Sequence, residues 1–151
     1  MALEIREVTG IAAAIAANEA LGREHYAEIA LNQAVMVYAP DIERFKHLEA
    51  MGVMLNLGVF DGDQLVGYSV NLISPHLHYK DLMCAHNDMI YIAQAHRHGS
   101  LGVKLIKATQ AACKARGVQF MLWHAKENTP LAALLPKLGC KVQDVIFSEV
   151  L

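Results

Sequence analysis

Residues 87–102 read Asn-Asp-Met-Ile-Tyr-Ile-Ala-Gln-Ala-His-Arg-His-Gly-Ser-Leu-Gly. An apolar strand, Met89 to Ala93, runs into a short turn carrying Arg97, Gly99, Ser100 and Gly102, and an amphipathic helix follows at once. Small residues at such a junction let backbone N–H groups converge on an anion, while the helix N-terminus adds the positive end of its dipole. The segment predicts a pyrophosphate cradle between a strand and a helix.

The flanking sequence supplies the rest of a layered domain. Leu3, Ile5 and Val8 alternate with charged residues as an opening strand, and Gly10 breaks it. Ile11 to Ala34 reads as helix in two segments meeting near Gly22, until Ala39-Pro40 disfavours continuation. Asp41 can cap a further helix over Ile42 to Met51. Leu55 to Phe60 and Leu65 to Ile73 flank Asp61-Gly62-Asp63-Gln64 as a hairpin, with Ser74-Pro75 ending it and a link bearing His76 and His78 beyond. Past the cradle, Leu101, Leu105, Ala108 or Thr109, and Ala112 recur at helical spacing up to the stop at Gly117. Val118 to Trp123 reads as a strand, Asn128-Thr129-Pro130 opens a short helix ending near Gly139, and Cys140 to Val150 supplies one or two closing strands. This order implies an α/β fold with a central mixed sheet flanked by helices, in one domain over residues 1–151.

Composition narrows the function classes. Hydrophobic residues make up 54% of the 151 and charged residues 19%. No apolar run reaches ~18 residues, so a membrane span is not expected. A net charge of −2 offers no footprint for nucleic acid. Cys84, Cys113 and Cys140 are odd in number and widely spaced, which fits packed thiols in a reducing, cytoplasmic setting better than a disulfide frame.

Three segments, in order, resemble the GNAT family of acyl-CoA-dependent N-acetyltransferases. Arg97, Ser100 and Gly102 occupy the family's Gln/Arg-x-x-Gly-x-Gly/Ala turn, with Ser100 in place of the first glycine and Gly99 beside it. Asp88-Met89-Ile90-Tyr91-Ile92 matches the acidic-x-apolar-Tyr-Val strand before that turn. Asn128 and Leu138-Gly139-Cys140 resemble the Asn-x-x-Ala…x-x-Gly-Phe segment after it. The resemblance implies a mixed, mostly antiparallel sheet and acetyl-CoA as cosubstrate. It implies cofactor contacts from the backbone at Ile90, Tyr91 and Ile92, from the turn Arg97, His98, Gly99, Ser100, Leu101, Gly102 and Val103, and from Asn128. Arg97 either supports the loop or reaches a phosphate. Lys104 and Lys107 suit a solvated helix face better than a 3′-phosphate contact.

The resemblance also implies direct attack by an amine-bearing acceptor, a small molecule or a protein, in a ternary complex. An N–H near Ile90 would polarise the thioester carbonyl. Asp88 stands where the family often has a catalytic glutamate, and a strand-edge or turn-capping role is its structural alternative. His86, or His78, can replace it as base, because imidazole titrates near neutral pH. His76 and His78 have the spacing to share one strand face toward zinc, but nothing is positioned by sequence to complete such a site, and a polar wall is the commoner explanation. Three departures stand out. Leu135 replaces the tyrosine that often protonates the leaving thiolate, Pro136 follows it, and Gln94 replaces the usual proline after the strand. A different reading is therefore a GNAT-like domain acting as a CoA-binding, interaction or structural module. The apolar composition and the family's habits also allow a homodimer.

Overall fold

The hairpin expected around Asp61–Gln64 forms, and its two strands lie inside the sheet. The computed structural model describes residues 2–151. Strands β1 (Leu3–Glu7), β2 (Met54–Asp61), β3 (Gln64–His76), β4 (Tyr79–Ile92) and β5 (Phe120–Trp123) lie in the order β1-β2-β3-β4-β5. The first four pair antiparallel and β5 runs parallel to β4. Helices α1 (Ile11–Ala17), α2 (Glu19–Ile29) and α3 (Ile42–Ala50) precede β2, α4 (Leu101–Ala115) joins β4 to β5, and α5 (Pro130–Lys137) follows β5.

Each face of the sheet buries its own apolar layer. Leu55, Leu57, Val59, Val66 and Ala85 pack with Leu101, Leu105 and Cys113 of α4. Met54, Phe60, Tyr68, Val70 and Tyr91 pack with Ile11, Ile15 and Leu21 of α1 and α2, and Phe45 and Leu48 of α3 lean against the same layer. Alternation along β2 and β3 produces both layers, since successive side chains point to opposite faces.

Several boundaries depart from the sequence expectation. The first helical stretch breaks at Asn18, not Gly22, and α2 ends at Ile29. Gly22 instead sits inside α2, where the Tyr38 hydroxyl occupies the space a β-carbon would need. The missing side chain is thus a tertiary requirement rather than a helix break.

Ser74-Pro75 does not end β3, because β3 and β4 form one long hairpin that turns between His76 and Tyr79. Pro75 is accommodated because β2 pairs no further than Leu72, so no strand on that side needs its missing N–H.

The closing strands expected over Cys140–Val150 are not formed. Residues 141–151 carry no regular structure and are exposed throughout. The packed-thiol expectation does hold for Cys84 and Cys113, which are buried, while Cys140 is half-buried; all three are free. No helix among the described residues is long and apolar enough to cross a membrane.

Candidate functional site

A bulge in β4 creates the site. Met89 pairs with Val70 and Asn87 pairs with Asn71, leaving Asp88 as the extra residue between them. An inserted residue shifts the two-residue period by one. Met83 and Ala85 face α4 before the bulge, and Ile90 and Ile92 face it afterwards.

Pairing with β5 covers only Cys84 to Asn87 and stops at Asn87 opposite Trp123. Beyond that point β4 keeps β3 on one side and has an open edge on the other. The Ala93 N–H goes to Val66 O on β3, while Ile92 O turns away from β3 and accepts from Arg97 Nε at 2.7 Å. Backbone direction alternates along an antiparallel strand, so Ile90 presents its N–H and C=O to the open edge and Tyr91 presents its own to β3.

The turn after β4 carries the second half of the site. The chain makes a single 3₁₀ turn at Gln94–His96, then reaches Gly99 at φ 61°, a left-handed conformation that favours glycine. Ser100 is the N-cap of α4 but its hydroxyl makes no capping bond. The His98 N–H is taken by His96 O. Among the described residues no protein acceptor takes the N–H of Gly99, Ser100, Leu101, Gly102 or Val103. Gly102 has no backbone reason to be glycine, and a β-carbon there would meet nothing within 4 Å. The first turn of α4 is therefore an open shelf of unpaired donors at the positive end of a 15-residue helix.

Arg97 supports this turn from below. Its guanidinium forms a two-pronged pair with Glu28 of α2 at 2.8 and 2.7 Å and lies 4.7 Å from the centre of the Tyr91 ring. Tyr91 Oη lies 2.8 Å from Glu28 and 3.0 Å from Glu24, sharing its one proton between them, and the Gln94 N–H donates to Glu24. Hydrogen bonding to Arg97 holds Glu28 down at about 2, against an ordinary 4.5. Of the two roles expected of Arg97, the structure displays loop support.

Neutral polar side chains hold the bulge on the α4 face. Asn87, Asn71, Ser69 and Thr109 are fully buried. Asn87 Nδ2 lies 2.9 Å from Asn71 Oδ1 and 3.2 Å from Ser69 Oγ, and reaches across the bulge to the carbonyls of the next pair, Val70 O at 3.4 Å and Met89 O at 3.3 Å. Thr109 Oγ1 of α4 bonds Ser69 Oγ at 2.9 Å. The network ties the helix that opens at the shelf to the kink in the strand beside it. Among the described residues Asn87 Oδ1 is buried without a partner.

The opposite face holds a titratable cluster. His25 of α2 is 7% exposed, hydrogen-bonds Tyr68 Oη through Nδ1 at 2.7 Å, and stacks on Tyr91 at 4.3 Å. Burial lowers its pKa to about 4 and pushes the Tyr68 and Tyr91 phenols up.

Asp88 is exposed and lines a cavity of about 220 Å³ with Asp41, Arg44, Phe45, Leu48, Met54 and Leu72. His86 pairs across from Leu72, on that same α1–α3 side, with the His124 ring edge-on at 5.9 Å. Burial and the neighbouring His124 and His76 lower its pKa, leaving a neutral ring at neutral pH. His76 and His78 lie near each other at the far hairpin end, and no group of three or more metal-ligating side chains forms among the described residues.

Asn128 takes φ 60° just before α5, where Thr129 Oγ1 caps Ala132 N and Pro130 opens the helix. Leu135 faces inward, 7% exposed. Pro136 costs little so close to the C-terminal end, since Leu138, Gly139 and Cys140 supply the terminal N–H bonds.

Sequence reading did not single out Asn87, Ser69, Thr109, Glu28 or His25. Thr109 was visible as a polar residue in an apolar helical stripe. The others had no local signal, because their partners lie on distant elements.

Comparison with known proteins gives the following matches. The model of the acetyltransferase (GNAT) family matches residues 17–140. No curated protein sequence matches the chain. Among solved structures, the aminoglycoside acetyltransferase HMB0005 from an uncultured soil metagenomic sample superposes with a TM-score of 0.76 at 18% identity, covering 100% of this chain and 99% of that one. A transcriptional regulator from Bacillus halodurans C-125 gives 0.77 at 18% identity, with 99% and 100% covered. The ribosomal-protein-alanine N-acetyltransferase from Brucella melitensis biovar Abortus 2308 gives 0.67 at 19%, with 99% and 98% covered. At these identities the likeness is one of fold.

Proposed function

The chain belongs to the GNAT family of acetyltransferases, and from that premise we propose that it transfers an acetyl group from acetyl-CoA to a primary amine. The observation that carries this reading is the open shelf at Gly99–Val103 beside the unpaired edge of β4. Acetyl-CoA would supply the activated acyl group. Everything else comes from the chain. The N–H groups of Gly99 to Val103 suit the pyrophosphate, and the bare Gly102 leaves room for it. The Ile90 N–H, on the open edge, is placed to donate to a carbonyl oxygen that gains negative charge. The Ile90–Ile92 edge suits the amides of the pantetheine arm, with the Ile92 carbonyl already committed to Arg97. Asn128 remains assigned to the cofactor side.

Asp88 sits at the bulge and opens into the 220 Å³ cavity with Asp41. The wall carries two carboxylates against one cation, Arg44, among apolar residues, a net negative lining that suits an amine arriving protonated. Asp88 then takes its proton, directly or through water, before attack. His86 is the second candidate base, neutral at the working pH. The acceptor is an amine-bearing small molecule or protein.

Binding of acetyl-CoA, followed by calorimetry, should be saturable in the native chain and lost in Gly102→Trp, which fills the shelf. Absence of binding in the native chain overturns the reading. Asp88→Asn should lower turnover on an amine panel at least tenfold with cofactor affinity unchanged; retained turnover would pass the role to His86, tested by His86→Ala. Buried Leu135, which has no proton to give a leaving thiolate, favours a second reading as a CoA-binding or interaction module. Saturable binding without turnover on any amine would select it.

A further inference from the structure

One wall of the cavity beside the β4 bulge comes from a single face of α3 and its cap. Asp41, Arg44, Phe45 and Leu48 fall at i, i+3, i+4 and i+7, the spacing that aligns side chains along a helix. That face is polar at its N-terminal end, with Asp41 and Arg44, and apolar beyond, with Phe45 and Leu48. The sheet supplies more apolar lining, where Met54 of β2 pairs across from Leu72 of β3, and the bulged Asp88 adds a carboxylate. At about 220 Å³ the cavity is smaller than the roughly 300–1,000 Å³ of a pocket for a drug-sized ligand.

The three charged groups in this lining have different duties. Asp41 accepts the Arg44 backbone N–H at 3.0 Å as the N-cap of α3, so its carboxylate has a structural task. That bond engages the Arg44 backbone and leaves the guanidinium free. Among the described residues neither the Arg44 guanidinium nor the Asp88 carboxylate has an ion-pair partner, and the two do not pair with each other. One cation and one anion therefore line the same small apolar cavity, each open to a ligand. A guanidinium presents a planar fork of N–H donors that matches a carboxylate, and a carboxylate suits an ammonium.

We propose that the acceptor bound in this cavity is a free α-amino acid with an apolar side chain. The proposal rests on the acetyltransferase reading above and names the substrate class of the same site. Arg44 binds the ligand's carboxylate, Asp88 faces its α-ammonium, and Phe45, Leu48, Met54 and Leu72 receive its side chain. An α-amino acid holds both charges on one carbon, so a single small molecule satisfies both free groups. An amino sugar or a polyamine brings no anion for Arg44 and little apolar surface for the rest of the lining. Arg44 is thus a specificity-determining residue. In the reaction Asp88 takes one proton from the ammonium, the freed nitrogen bonds to the thioester carbonyl carbon, and the carbon–sulfur bond breaks. The nitrogen gives up a second proton and the departing thiolate gains one. The products are the N-acetyl amino acid, CoA and one proton passed on to water.

The test compares L-leucine with three relatives: isopentylamine, which lacks the carboxylate, leucinamide, which neutralises it, and glycine, which lacks the apolar side chain. Acetyl-CoA turnover and calorimetric binding to the CoA-loaded chain are the two readouts. L-leucine should exceed each relative in kcat/KM by at least about tenfold and should bind saturably. Arg44→Gln should raise the KM for L-leucine by at least about tenfold with kcat little changed, and leave isopentylamine and acetyl-CoA affinity unaffected. Its helix cap survives, because the bond to Asp41 uses the backbone N–H. Equal use of L-leucine and any of the three relatives, or a preference that persists in Arg44→Gln, overturns the proposal and leaves the acetyltransferase reading standing. A native chain that binds no acetyl-CoA overturns that reading instead. Binding of L-leucine to that chain, abolished by Arg44→Gln, would then still support the amino-acid site. No binding of L-leucine, with or without CoA, overturns the proposal.

Discussion

The two faces of β3 and β4 solve the same packing problem with different chemistry. Facing α4, Ser69, Asn71, Asn87 and Thr109 form a buried network of neutral groups. Facing α2, His25, Tyr68 and Tyr91 form a buried cluster whose members can ionise and whose rim is the Glu28–Arg97 pair. Neutral groups hold geometry at every pH. Ionisable groups hold it only while burial keeps them uncharged. The bulge that opens the site is clasped from the neutral face, and the turn that forms the shelf is braced from the ionisable one. The two halves of the proposed acetyl-CoA site should therefore fail under different conditions.

The largest effect expected is at Asn87. Asn87→Leu leaves Asn71 Oδ1 buried without a donor and removes the second N–H shared among Ser69 Oγ, Val70 O and Met89 O, and two such losses at 1–3 kcal/mol each total about 4 kcal/mol. Urea unfolding measures this, and the loss should be the same at pH 5 and pH 8. A loss that varies with pH would erase the distinction between the faces.

Acid should probe the other face. Well above pH 6.5 His25 is neutral whether folded or not. As the pH falls from 6.5 toward about 4, the unfolded chain takes up the proton and the folded chain does not. Stability therefore falls across that window, by about 3 kcal/mol at 1.36 kcal/mol per unit. Glu28 adds a second loss of the same sign between its ordinary 4.5 and about 2. His25→Gln, which can still hydrogen-bond Tyr68, should flatten the slope between pH 6.5 and 4. An unchanged slope would remove His25 from the account.

A smaller coupling is expected between Arg97 and Glu28. Both are partly exposed, so a double-mutant cycle with Arg97→Gln and Glu28→Gln should give about 1 kcal/mol, shrinking in salt. The smallest effect belongs to Ser100. Its hydroxyl caps nothing, so Ser100→Ala should change stability by less than about 0.5 kcal/mol. A larger loss would mean that Ser100 braces the shelf after all.

The shelf was legible because its chemistry is local. Gly99, Ser100 and Gly102 lie within one turn, and the strand and helix flanking them have strong periodic patterns. The capped start of α3 at Asp41 and the Thr129-Pro130 opening of α5 were readable for the same reason. The break at Asn18 was not, because Gly22 is explained by Tyr38, sixteen residues away and meeting it only in the fold. Pro75 misled because its tolerance depends on where β2 stops. The 140–150 segment does have strand chemistry, but it pairs with no strand in the structure, and composition alone does not supply that partner.

By itself the sequence determined most of the element types up to α5, the hairpin, the shelf and the family resemblance, since propensities, caps and glycine conformations act over a few residues. The tertiary structure decided where β4 and β5 part and that Asp88 is the residue squeezed out of register. It also decided that Arg97 faces Glu28 and which polar groups are buried together. Those are properties of pairing between distant strands and helices, and each depends on both partners being in place.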